Sequence, residues 1–144
     1  AYYKQENFRQ AIQDYTQAIK INPDNGTAYL NRGVVYDEQG NSQQAIQDYT
    51  QAIEINPDYA EAYVNRGFAY YKQENFRQAI QDYTQAIKIN PDDAAAYYNR
   101  GFAYDEQGNS QQAIQDLEKA ATLFREQGQE QAYRQVQEIL NELR

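Results

Sequence analysis

A 34-residue self-similarity constrains this chain more than any other feature. Asn-Arg-Gly recurs at 31–33, 65–67 and 99–101, Ala-Ile-Gln-Asp at 11–14, 45–48, 79–82 and 113–116, and Asn-Pro-Asp at 22–24, 56–58 and 90–92. A fixed period of this length predicts a repeat array in which each unit buries its apolar face only against its neighbours. The 144 residues divide as one domain into three full units, 26–59, 60–93 and 94–127. Residues 1–25 supply the last part of an earlier unit, short of nine residues of its first helix, and 128–144 form a tail.

Within each unit the apolar and small residues fall three, four or seven apart, which is helical spacing. The first helix carries Tyr29, Gly33 and Tyr36, repeated as Tyr63, Gly67, Tyr70 and as Tyr97, Gly101, Tyr104. A mid-helix glycine costs about 1 kcal/mol relative to alanine, so three in register predict close helix–helix approach. The second helix carries Ala45, Ile46, Tyr49, Ala52 and Ile53, small beside large, as interlocking partners need. Asn41 with Gln44 reads as an N-cap with a capping box, repeated at Asn7/Gln10, Asn75/Gln78 and Asn109/Gln112. Pro57 stops one helix and Asp58 is expected to cap the next. In the tail, Ala132, Tyr133, Val136, Ile139, Leu140 and Leu143 lie on one stripe of a capping helix with one wet face. The fold class is all-α, an α-solenoid of helix-turn-helix units.

Tyr63, Gly67, Tyr70, Ala79, Tyr83, Ala86 and Pro91 stand at the offsets of the tetratricopeptide repeat (TPR) pattern, which the chain resembles over about residues 1–127. Three departures stand out. Arg32, Arg66 and Arg100 sit where the family usually has leucine, Leu117 and Arg125 replace the aromatic and the proline of the last unit, and the first unit is incomplete. A second period overlies the first, since residues 1–24 are identical to 69–92 and Tyr36–Asp48 to Tyr104–Asp116. The ancestral unit is therefore a copied 68-residue pair.

The charge of −8 repels a phosphate backbone or an anionic membrane surface, so neither nucleic acid nor membrane is expected as a partner. With no cysteine or histidine, thiolate and imidazole chemistry is absent, and no metal or cofactor is expected. Serine occurs only as Ser42 and Ser110, in helix-start turns, and no nucleophile–base pair or phosphate loop is present, so the chain reads as no enzyme. It opens at Ala1 in mid-repeat without a signal-like segment, so the native N-terminus is expected elsewhere and the compartment is open, with the cytoplasm as default. Asn25-Gly26-Thr27 fits a glycosylation sequon, read as coincidence.

What the resemblance implies is a curved stack with the first helices lining a concave groove that holds a peptide or helix of a protein partner. The groove positions are then Leu30, Asn31 and Val34, Val64, Asn65 and Phe68, and Tyr98, Asn99 and Phe102. Tyr3, Lys4, Asp37, Glu38, Tyr71, Lys72, Asp105 and Glu106 follow one turn on. An amide offers two donors and an acceptor, so the asparagine column can grip a peptide backbone without reading sequence. It resembles the asparagine ladder of superhelical TPR proteins; the alternative is that these residues bond neighbouring helices. Val34, Phe68 and Phe102 form an apolar column that either faces a partner or tucks against the next unit. The arginine column could recognise acids, but Asp48, Asp82 and Asp116 on the partner helix make internal pairs the simpler expectation. Lys72 is expected to pair with Glu38 and Glu106. The family's chaperone-type carboxylate clamp is excluded, because Leu30, Val34, Ala95 and Asn99 occupy four of its five positions. Two other roles stay open, self-assembly into a homo-oligomer through the groove or the incomplete end, and service as the recruiting domain of a larger enzyme.

Overall fold

The computed structural model describes residues 2–144, with side chains from Lys4 onward. Among the described residues there are eight helices and no strand: α1 (Tyr2–Ile21), α2 (Gly26–Glu38), α3 (Ser42–Ile55), α4 (Ala60–Lys72), α5 (Phe76–Ile89), α6 (Ala94–Glu106), α7 (Ser110–Glu126) and α8 (Glu130–Leu143). Each helix packs against its neighbours in sequence, as an α-solenoid requires. Beyond those neighbours, α2 touches α4 and α4 touches α6, whereas α3, α5 and α7 do not touch one another. The layer of first helices is therefore the tighter one and forms the inner side of the curve.

Close approach within a pair depends on the glycine column. A Cβ on Gly33 would meet Tyr49 Cε1 at 2.7 Å, one on Gly67 would meet Tyr83 Cε1 at 2.8 Å, and one on Gly101 would meet Leu117 Cγ at 3.0 Å. Tyr49, Tyr83 and Leu117 are fully buried there, among alanines that let the backbones come together. At the far end Val136 and Leu140 of α8 are buried against α7, and its other face stays wet.

The turns within a unit are left-handed caps. Asn41 N–H donates to Tyr36 O and Gly40 N–H to Asp37 O, and the same pair of bonds recurs around Glu74, Gly108 and Gly128. Glycine suits the left-handed residue at 40, 108 and 128, but at 74 a glutamate holds φ 61°. Between units, proline drives Asn56 and Asn90 into extended backbone, and each side chain accepts from the N–H two residues on. Without that proline, Arg125 lets α7 run 17 residues where α3 and α5 run 14.

Several expected caps are corrected. Asn41 and Asn109 accept from Gln44 N and Gln112 N, but Asn75 makes no side-chain cap bond, and no glutamine returns a bond to complete a capping box. Asn7 is no cap at all, because α1 runs straight through it, and residues 2–21 form one continuous helix rather than the end of one and the whole of the next. Asp58 does not cap α4 either. The N-cap falls one residue later, at Asn25, Tyr59 and Asp93, where Asn25 and Asp93 accept from Ala28 N and Ala96 N and Tyr59 has nothing to offer.

Replacing Glu74 by glycine removes the cost of a side chain in left-handed backbone. The variant is expected to gain about 0.5–1 kcal/mol in urea unfolding, and Gly40→Glu to lose a similar amount.

Candidate functional site

The arginine column is internal. Arg32 Nε and Nη2 donate to the two oxygens of Asp48 at 2.8 Å each, Arg66 does the same to Asp82 at 2.8 and 2.7 Å, and Arg100 to Asp116 at 2.7 and 2.8 Å. The remaining Nη1 of each arginine donates to a threonine of the preceding unit, Thr16, Thr50 or Thr84, at 3.1–3.2 Å. Those hydroxyls donate in turn to the carbonyl four residues back, Ile12, Ile46 or Ile80. Two tyrosine rings flank each guanidinium, Tyr63 and Tyr70 for Arg66 at 5.6 and 6.0 Å. Hydrogen bonding to the aspartate raises all three arginines above their ordinary value. Burial pushes the Asp82 carboxyl up, and the Arg66 bonds pull against it. Thr16, Thr50 and Thr84 repeat with the period, the signal in the sequence that points to this link between units.

The groove positions sort differently. Asn31, Asn65 and Asn99 are half-buried on the inner layer, and among the described residues no side-chain hydrogen bond ties their amides to a neighbouring helix. Leu30 does not line the groove. At 2% exposure it lies in the core with Ala45, Tyr49, Ala62 and Ala69, because this column leans toward the next unit. Val64, one unit on, is half-buried against Ala79, Tyr83 and Ala103, and Tyr98, also half-buried, borders a hollow. The apolar column also splits. Val34 packs on the first core cluster and Phe102 on the last, while Phe68 stands 45% exposed.

Charges one turn on pair in another register. Lys72 bonds Asp37 rather than Glu38, and Tyr71 Oη donates to Glu106 at 3.4 Å. Both partners are 35 residues apart, one more than the repeat, so a row drawn at the period misses by one residue. The ammonium of Lys72 also lies 5.0 Å from the Phe68 ring centroid. Lys4 is exposed, beside Phe8, and the Tyr3 side chain lies outside the described residues.

Phe68 and Tyr71 of α4, Tyr83 of α5, and Tyr98, Asn99 and Phe102 of α6 line a half-open cavity of about 250 Å³. Phe68 and Tyr71 stack 7° from parallel at 6.4 Å, and Tyr98 meets Phe102 edge-on at 4.8 Å. The Tyr83 hydroxyl is the one buried side-chain oxygen or nitrogen without a hydrogen-bond partner among the described residues. Burial pushes its phenol well above the usual range, so it stays protonated, and burial followed by Glu106 raises Tyr71. Larger hollows of about 730 and 620 Å³ lie at the two ends, between α1 and α2 and between α7 and α8. Long polar side chains such as Lys4, Arg9, Glu118 and Arg144 border them, and neither contains an orphaned buried polar atom. No group of histidine, cysteine, aspartate or glutamate able to hold a metal occurs among the described residues.

The TPR repeat family matches residues 1–40, 35–74 and 69–108, and the tetratricopeptide repeat pattern matches 94–127. The chain is a tetratricopeptide repeat protein. Among solved structures, this TPR chain is similar to two of MamA. One is 25% identical with a TM-score of 0.77, covering 96% of this chain and 90% of that one; the other is 27% identical at 0.79, covering 96% and 78%. The TPR2B domain of yeast Sti1, in a structure titled as its pHsp70 complex, is 24% identical with a TM-score of 0.78 and covers 82% of this chain and 94% of that one, a likeness of fold. No curated protein matches significantly.

Removing one partner of the buried arginine–aspartate pair strands the other. Asp82→Ala is expected to cost about 3 kcal/mol in urea unfolding, and Thr50→Val, which deletes one neutral acceptor, about 1 kcal/mol.

Proposed function

We propose that this TPR array is a protein-interaction scaffold that holds an extended peptide segment of a partner along the inner layer of α2, α4 and α6, and that it does no chemistry on it. The observation that carries this reading is the column Asn31, Asn65 and Asn99 on the layer that curves inward, whose amides make no side-chain hydrogen bond among the described residues. An amide pairs with both the N–H and the C=O of a passing backbone, as a chain of unfixed sequence requires. Exposed Phe68 beside the column supplies apolar area that a bound segment can cover. The arginines are committed to Asp48, Asp82 and Asp116, so recognition here does not run through a carboxylate held by that column.

The test is selection of peptides from a displayed random library on the intact chain, followed by titration against variants. Asn65→Ala with Asn99→Ala is expected to weaken the selected peptides about tenfold or more while leaving the helical content unchanged. Peptides that bind the double variant as tightly as the parent would show that the groove is not the contact surface.

A further inference from the structure

We propose that the cavity between α4 and α6 is a subsite for one tyrosine side chain of the bound peptide. The proposal rests on the groove reading above and names what the groove selects. Its volume of about 250 Å³ falls below the roughly 300–1,000 Å³ of pockets that take drug-sized ligands, and suits a single large side chain. Its walls are two aromatic pairs, Phe68 with Tyr71 and Tyr98 with Phe102, which favour a ring that meets them offset or edge-on.

The tip of that ring is set by Tyr83. This residue is fully buried, forms part of the wall, and carries a hydroxyl with no partner. A buried, unpaired hydroxyl is unfavourable, so an occupant that hydrogen-bonds it is preferred to one of equal shape that does not. The Tyr83 O–H offers an occupant one donor and lone pairs that accept. Charge decides among occupants. Glu106 sits on Tyr71 at the rim, and the nearby cation, Lys72, is engaged by Asp37, so an anionic tip would be desolvated without a free counter-ion. A cationic tip would meet Lys72 at the Phe68 face. A neutral phenol brings no charge to desolvate and a hydroxyl that can pair with Tyr83, and Asn99 adds an amide to the same lining. One unit earlier the corresponding positions are Val34, Asp37 and Val64, so the array holds one such subsite rather than a row.

The test uses fragments that need no peptide backbone: p-cresol, toluene and 4-methylphenyl phosphate, titrated into the isotope-labelled chain and followed by amide shifts. Millimolar p-cresol is expected to shift the amides of Phe68, Tyr71, Asn99 and Phe102, with toluene roughly tenfold weaker and the aryl phosphate inert. Tyr83→Phe loses no native hydrogen bond and should fold; it is expected to bring p-cresol down to the level of toluene. Phe68→Ala, at an exposed wall, gives a second variant and is expected to weaken p-cresol several-fold. Absence of p-cresol shifts at these amides, toluene binding as well as p-cresol, or an unchanged preference in Tyr83→Phe would each overturn the subsite. Failure of the fragments with asparagine-dependent peptide capture intact sinks the subsite alone, whereas p-cresol binding without any such capture sinks the peptide reading.

Discussion

The contact of a helix backbone with a buried ring, glycine against Tyr49 or Tyr83, fixes the spacing on which everything else in this array depends. With less than 3 Å between a hypothetical Cβ and the ring, no side chain fits, so the two helices of a unit stand as close as their backbones allow. That separation brings the arginine beside each glycine within two hydrogen bonds of the aspartate on the facing helix. Leu117 plays the same part in the last unit with an aliphatic group, and the pair geometry is retained there, with Arg100 still bidentate on Asp116.

Each arginine then reaches a third helix through threonine, so a single side chain fastens both the unit and its junction with the unit before it. Buried ion pairs contribute less to stability than their Coulomb energy suggests, because both charges leave water. Their geometry is nonetheless strict, and a strict contact repeated at every junction suits a solenoid whose curvature must be the same at each step. The inner layer inherits its regularity from that repetition, and so do the evenly placed asparagines.

Sequence carried the fold well because period, glycine column and proline stops each have a local cause. Arginine–aspartate pairing was legible for the same reason, since both columns recur on facing helices. Features that depend on the pitch between units were not. Lys72 finds Asp37 and not Glu38 because successive inner helices slide by one residue, an offset no linear pattern records. Leu30 looks like its groove neighbours on paper but leans into the core. Asp58 seemed a better cap than Tyr59, yet the asparagine turn before it, set by Pro57, advances the helix start by one residue. The cavity at Tyr83 was out of reach altogether, because it needs side chains from three helices to be placed at once.

Residues 1–24 and 69–92 are identical, and residues 2–24 take another shape than 70–92. Following α4, the segment bends at Glu74 and starts α5 at Phe76; at the head of the array the same letters run as one helix from Tyr2 to Ile21, six residues longer than α5. The bend therefore goes with the packing of α4 on α5, against the cost of a glutamate in left-handed backbone. If α4 peeled away from α5, the released residues would be able to extend α5 as the same letters do in α1, and circular dichroism would register less of that opening than a probe of tyrosine burial.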